Sequence, residues 1–248
     1  MPLSARAPSE TVDRAVALEA ELRDFSYMVS HDLAASFRHV SEFSRLLATE
    51  RSGLSPRQRS HVEYIQTAAI RCQAMMDGML TFTQAQQKPI EASLHDATLT
   101  MQLAMRQLAN LETSGAEVTL SPLGEVFADP ILLATAFGSL LENAVKFGVP
   151  GVRPRVSIEP AHDADAWRVR VTDNGIGVDP QYAERAFQMF RRLNGEDAFA
   201  GVGAGLAICR RIARRHGGDV RFVESTNGAC VELSLPHRAR LQSDLGDH

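Results

Sequence analysis

The chain has 248 residues, of which 44% are hydrophobic and 23% charged, with 26 basic against 30 acidic side chains and a formal net charge of −4. At roughly 150 residues per domain this is one large domain or two modest ones. The apolar fraction excludes a disordered chain, the charge balance leaves no basic footprint for nucleic acid, and no run approaches the roughly 18 apolar residues of a membrane span.

The N-terminal residues Met1-Pro2-Leu3-Ser4-Ala5-Arg6 run into polar sequence with no apolar signal core. Cys72, Cys209 and Cys230 are widely spaced and form no CxxC pair, which argues against a disulfide framework or zinc. A cytoplasmic protein is the expectation, with no membrane segment and no nucleic-acid partner.

The first third is helical. From Leu18, the stripe runs through Leu22, Phe25, Val29, Leu33, Ser36/Phe37, Val40, Phe43 and Leu47, in steps of three and four that trace one helical face. The break is Arg51-Ser52-Gly53-Leu54, after which Ser55-Pro56 reads as an N-cap followed by proline at the first helical position. A second stripe, Val62, Ile65, Ala69, Cys72, Met76 and Met79, ends near Lys88-Pro89. Two long amphipathic helices joined by a short loop make an antiparallel hairpin, and two hairpins would bury both seams as a four-helix bundle. A homodimer is therefore expected; packing of the hairpin on the rest of its own chain is the alternative.

After Pro89 strands and helices alternate. Strands are expected at Ile90–Leu94, Ala116–Ser121, Glu125–Ala128, Val152–Glu159, Trp167–Thr172, Val220–Glu224 and Ala229–Leu235, the last two as a hairpin. Helices are expected at Asp96–Leu111, from Asp129-Pro130 to Phe147, and at Gly205–His216, which Gly217-Gly218 stops. The stretch from Pro180 to Gly203 is mostly polar with scattered phenylalanine. This order predicts an α/β sandwich, a mixed sheet with helices on one face, so the whole chain reads as α+β. The tail after Pro236 is expected to fray.

Four segments carry chemistry. Asp173-Asn174-Gly175-Ile176-Gly177 follows a strand, where a fixed carboxylate can accept from an exocyclic amine and glycines let the backbone approach a flat ring. Gly201-Val202-Gly203-Ala204-Gly205 opens a helix, whose free backbone N–H groups can hold phosphate oxygens. Asn143 and Lys146 share a helix face, the amide suited to Mg²⁺ and the ammonium to a phosphate. Ser30-His31-Asp32-Leu33 lies on the first helix. With Leu22 at zero and about 100° per residue, His31 falls at about 180°, away from the seam. Asp32 lies nearer the seam and can orient the imidazole or take its proton. Each segment alone also fits an ordinary turn, hinge or solvated face.

Together and in order, these segments resemble the H-, N-, G1-, F- and G2-boxes of a two-component sensor histidine kinase. The H-box is Phe25–Leu33, the N-box ends in Glu142-Asn143-Ala144-Val145-Lys146-Phe147, and the G1-box is Asp173–Gly177. Ala186–Leu193 resembles the F-box and Gly201–Ile208 the G2-box. The Phe-Ser-x-x-x-Ser-His-Asp-Leu run is most similar to the phytochrome-type kinases. The resemblance implies a dimerisation and histidine-phosphotransfer hairpin at 1–88, a catalytic ATP-binding domain of the Bergerat (GHKL) fold at 89–236, and a flexible tail at 237–248. It implies ATP and Mg²⁺ as cofactors. Asp173 would bind the adenine amine, with Gly175 and Gly177 beside it. Asn143 would hold Mg²⁺. Lys146, Gly201, Gly203, Gly205 and Leu206 would line the phosphate side, with Arg192 near the γ-phosphate. The stretch from Pro180 to Gly203 would be the ATP lid. His31, assisted by Asp32, would accept the phosphoryl group and pass it to an aspartate of a response-regulator receiver domain.

Three positions depart from that pattern. Ser36 stands where a proline is usual, Ala35 where a threonine or asparagine is frequent, and Ser139 where the first N-box asparagine is usual. Two other readings remain: a non-catalytic adaptor that docks a regulator, and an ATPase or serine kinase of the same fold. The stretch before Phe25 is too short for a sensory domain, so the sensor is expected in a removed segment or on a separate protein.

Overall fold

The computed structural model describes residues 33, 35–49, 54–108, 111, 113–161, 163, 165–193, 199 and 201–237. His31 and Asp32, most of the predicted first helix before Leu33, and 238–248 of the expected tail lie outside the described residues. The chain divides between Thr83 and Gln84 into two compact units.

In the first unit, helix α1 covers 35–49 and α2 begins at Pro56, running as Pro56–Gln87 to the start of the second unit. The start of α2 is a reciprocal cap. The Gln58 amide donates to Ser55 Oγ at 3.3 Å, while the Ser55 amide donates to Gln58 Oε1 at 2.8 Å. Pro56 then sits where its missing N–H costs nothing. The Gln66 side chain donates to the Ser44 carbonyl at 3.1 Å and joins the two helices. Ala69 is buried, yet Val40, Phe43 and Leu47 of the α1 stripe stay exposed.

The second unit is a layered α+β arrangement. Strand β1 (Ser93–Asp96) pairs antiparallel with β3 (Glu125–Ala128), while β2 (Glu117–Leu120), β4 (Arg155–Ala161), β5 (Ala166–Asp173), β6 (Asp219–Val223) and β7 (Cys230–Pro236) form a five-stranded sheet. Its order is β2-β4-β5-β7-β6, parallel only between β2 and β4. Helices α3 (Ala97–Gln107), α4 (Pro130–Lys146) and α5 (Gly205–Arg215) complete it.

Alternation along β5 explains the layering. Trp167, Val169 and Val171 are buried, as are Val220, Leu233 and Leu235 on the neighbouring strands, and they meet Phe137, Leu133 and Leu140 of α4 and Ile212 of α5. Trp167 Nε1 donates to the Leu123 carbonyl at 2.9 Å, so the indole is buried without an orphaned donor. On the opposite sheet face Glu232 is only 1% exposed, held by Arg168, Arg170 and Arg221 at 3.0, 2.8 and 2.7 Å.

Three expectations need correction. The strand expected at Ile90–Leu94 starts later, because β1 is defined by its ladder with β3, Ser93 opposite Ala128 and Asp96 opposite Glu125. That pair forms a separate small sheet instead of joining the main one. The helix expected to reach Leu111 is interrupted after Gln107, where Leu108 turns extended (φ −95°, ψ 94°); Leu111 is again helical and is buried. The polar stretch after Gly177 begins as a 3₁₀ helix, Pro180–Phe187, capped by the Asp179 carboxylate on the Gln181 amide.

Candidate active site

The site begins at the end of β5. Asp173 is 8% exposed, and its Oδ1 accepts from the Gly175 amide at 2.8 Å and the Ala229 amide at 3.1 Å. Both of its side-chain hydrogen bonds go to one oxygen, which leaves Oδ2 for a donor on a ligand. Burial pushes the Asp173 carboxyl above its ordinary range, opposed by those two amides. The turn is tied to the end of α4 by the Ile176 amide, which donates to the Phe147 carbonyl at 3.0 Å.

Ala229 and the preceding Gly228 are site residues that the sequence reading missed. They belong to the turn between β6 and β7. Gly228 has φ +69°, and a Cβ there would run into the Asp173 carbonyl and the Gly175 nitrogen. Only glycine permits so close an approach. Gly177 lies against the Gly228 carbonyl from the other side. The available signal was Asn227-Gly228, a turn pair, whose proximity to Asp173 sequence does not give.

The opposite end is cationic. α4 starts at an Asp129 cap with Pro130 next, buries Leu133, Ala136, Phe137, Leu140 and Ala144, and so presents Asn143 and Lys146 at its last turn. Burial lowers the Lys146 pKa from its ordinary value; Glu142 opposes the shift and Arg192 adds to it. The ammonium lies 4.8 Å from the centre of the Phe147 ring. Gly201, at φ +101°, is packed directly under it: a Cβ there would stand 2.6 Å from Lys146 Nζ. Arg192 donates through Nη2 to the Phe199 carbonyl at 2.5 Å, and the Phe199 ring packs on Phe147 with centroids 4.9 Å apart. Lys146, Arg192 and Gly201 are thereby brought together.

Of the remaining predicted residues, Gly203 accepts at its carbonyl from the Phe190 amide at 2.9 Å, and Gly205 opens α5 beside Ser139. Leu206 is buried at the start of α5. Asn143 is half-buried and its amide makes no side-chain hydrogen bond among the described residues, which fits a free oxygen ligand. Among the described residues no cluster of three His, Cys, Asp or Glu could hold a metal by itself. Residues 194–198 and 200 of the predicted lid lie outside the described residues.

Residues 128–239 match the family described as histidine kinase-, DNA gyrase B-, and HSP90-like ATPase. The chain is 34% identical over 221 residues to the phytochrome-like protein Cph1 of Synechocystis sp., covering 88% of this chain and 29% of that protein. It is 29% identical over 230 residues to the histidine protein kinase DivJ of Caulobacter vibrioides, covering 89% and 38%. Among solved structures it is similar to full-length ShkA in complex with AMPPNP, with TM-score 0.57 and 27% identity over 85% of this chain and 44% of that one.

The chain carries a histidine kinase-, DNA gyrase B-, and HSP90-like ATPase segment and is similar over most of its length to histidine kinases.

It spans well under half the length of the curated relatives it matches, 29% of Cph1 and 38% of DivJ. The matched ATPase segment contains Asn143, Lys146, Asp173, Arg192, Gly201 and Gly228, so the two ends described above belong to one ATPase-like domain. No helix among the described residues is long and apolar enough to cross a membrane.

Proposed function

We propose that the chain is the kinase core of a two-component sensor: it binds ATP, transfers the γ-phosphoryl group to His31, and passes it to an aspartate of a response-regulator receiver domain. Residues 1–88 are the dimerisation and phosphotransfer hairpin and 89–236 the catalytic domain. The observation that carries the reading is a cradle with two unlike ends. Asp173 offers an acceptor to an exocyclic amine. Lys146 and Arg192, beside Gly201, offer positive charge to phosphates.

Phosphoryl transfer asks for placement and charge neutralisation more than covalent chemistry from the protein. Asp173 fixes the base, Lys146 and the amides around Gly201 and Gly203 hold phosphate oxygens, and Arg192 faces the γ-phosphate. The Asn143 amide oxygen is this chain's ligand for Mg²⁺, which when bound would neutralise phosphate charge. An imidazole nitrogen of His31 attacks phosphorus. An N–P bond forms as the bond to the β-phosphate oxygen breaks, ADP leaves, and the imidazole proton passes to Asp32.

Dimerisation through the hairpin is supported by the α1 stripe, where Val40, Phe43 and Leu47 are 44%, 67% and 51% exposed. A second copy would cover these residues by forming a four-helix bundle.

The test is incubation with γ-labelled ATP followed by acid. Phosphohistidine is acid-labile and phosphoserine is not, while an adaptor takes no label. His31→Gln should abolish labelling and leave nucleotide affinity unchanged, because the cradle residues all lie beyond the boundary at Gln84. Label mapped to His39 or His61 would defeat the assignment.

A further inference from the structure

Arg210 lies on α5, a little over one turn after Gly205, with its side chain 14% exposed. Its guanidinium reaches two other elements. Nε donates to Asp219 Oδ1 at 2.8 Å and Nη2 to Asp219 Oδ2 at 3.1 Å, a two-pronged contact with the first residue of β6. Nη1 donates to Glu184 Oε2 at 2.7 Å on the 3₁₀ helix. The guanidinium carbon also stands 4.7 Å from the centre of the Phe187 ring, which packs against Phe222 at 5.3 Å. A planar fork with five donors can hold two carboxylates and stack on a ring at once; an ammonium cannot.

The covalent path gives this clamp its significance. Phe187 ends the 3₁₀ helix, and Arg192 follows five residues later. Between them the Phe190 amide donates to the Gly203 carbonyl at 2.9 Å, with Phe190 itself at φ 60°. The segment carrying Arg192 is thus pinned twice. Arg210 holds its entry, and the glycines that lead into α5 hold its middle. Both pins are on or next to α5, the helix into which the chain returns at Gly205. Fixing the two ends of a loop on one rigid element removes much of its conformational freedom in advance.

We propose that Arg210 is a positioning residue: it holds the stem Pro180–Phe187 against α5 and β6 and thereby sets where Arg192 stands relative to Lys146 and Gly201. This rests on the reading of Arg192 as the γ-phosphate contact. Arg210 itself touches no part of the cradle. Asp173, at the base end, is held by Gly175 and Ala229 instead. Loss of Arg210 therefore acts at the phosphate end and spares recognition of the base.

The test uses the full chain with Arg210→Met, Glu184→Gln, Arg192→Ala and the Arg210→Met/Arg192→Ala double variant. ADP affinity, thermal unfolding, and autophosphorylation against ATP concentration are measured for each. Arg210→Met should keep ADP affinity within about twofold and lose about ten- to hundredfold in the autophosphorylation rate at low ATP, the scale of a displaced positioning group. Glu184→Gln removes only an exposed carboxylate and should show a smaller loss in the same direction, which keeps the test decisive should Arg210→Met unfold. The double variant should be no worse than Arg192→Ala, because residues acting through one another are not additive. Additive losses in the double variant, or wild-type ATP dependence in both Arg210→Met and Glu184→Gln, would overturn the proposal while leaving Arg192 in place. Wild-type behaviour of Arg192→Ala would overturn the role of Arg192 and this relay together.

Discussion

Asp173→Asn separates the two uses to which one carboxylate is put. Oδ1 already serves the protein, accepting from Gly175 and Ala229, and the asparagine amide oxygen can accept from both. What changes is the other atom. Where Oδ2 offers lone pairs to an amine, the amide NH₂ presents hydrogens, so a donor meets a donor. Losing one charge-assisted hydrogen bond in a buried site costs about 1–3 kcal/mol, which is roughly 5- to 150-fold in Kd. The effect on the nucleotide-free fold has the opposite sign. Burial raises the Asp173 pKa, the Gly175 and Ala229 amides only partly offsetting it. A carboxyl with a raised pKa contributes stability below its unfolded value and loses it as pH rises through the folded value, so ionised Asp173 is a net cost near pH 7. Asp173→Asn should therefore unfold at the parent's temperature or higher, most visibly at pH 7.5 and less at pH 4, while binding ADP more weakly. Asp173→Ala is the control: it strands two amides at about 1–3 kcal/mol each and should lower the unfolding temperature. Calorimetric titration with ADP and thermal scans at the two pH values make the measurement. Parental ADP affinity in Asp173→Asn, or a large drop in its unfolding temperature without nucleotide, would refute the division of labour between the two oxygens.

Gly201→Ala places a methyl group against Lys146 Nζ and strains a backbone at φ +101°, so autophosphorylation should fall well beyond any change in ADP binding. His216→Ala should destabilise the catalytic domain by about 1–3 kcal/mol, because the buried Asp129 amide donates to His216 Nε2 at 3.1 Å and would lose its acceptor. Burial lowers the His216 pKa, the Ile212 carbonyl and Asp129 opposing, so the neutral ring stabilises the fold above the ordinary histidine range. That stability should fade as pH drops below about 6.5 in the parent, and thermal scans of His216→Ala should show a flatter pH dependence. Ala35, four residues after His31 in the sequence, has no group to orient water, and Ser36 is about 100° further round α1. The parent should therefore release little phosphate from a phospho-regulator, and Ala35→Thr should release more.

The parts of the fold that could be read in advance are those set by neighbours in sequence. Ser55-Pro56 and Asp129-Pro130 marked the starts of α2 and α4 because cap and proline act within one turn. The alternation Trp167, Val169, Val171 marked β5 because a strand buries every second residue. The misreadings lie where a distant partner decides. β1 begins at Ser93 because Ala128 is its partner, and nothing in Ile90–Leu94 encodes that register. The 3₁₀ helix was missed because Pro180–Phe187 has too few apolar residues for a period, and its anchors, Arg210 and Phe222, come 26 or more residues after Glu184.

The site repeats the division. Glycines at 175, 201, 203 and 205 stood out as glycine-rich runs, although what demands glycine at 175 and 203 is the nearness of the Phe147 and Arg191 carbonyls. Gly228 belongs with them but looked like a hairpin turn. Its demand comes from the Asp173 carbonyl, and the Ala229 amide meets Asp173 Oδ1 across 56 residues. That link has a physical consequence for how the site is held. Asp173 is the last residue of β5 and Ala229 immediately precedes β7, and the two strands are hydrogen-bonded neighbours in the sheet. The carboxylate is therefore oriented by the sheet itself, not by its own turn alone. A change that loosens the turn at 225–228 should reach the base end of the cradle through Oδ1, while the cationic end, hung on α4 and α5, stays where it is.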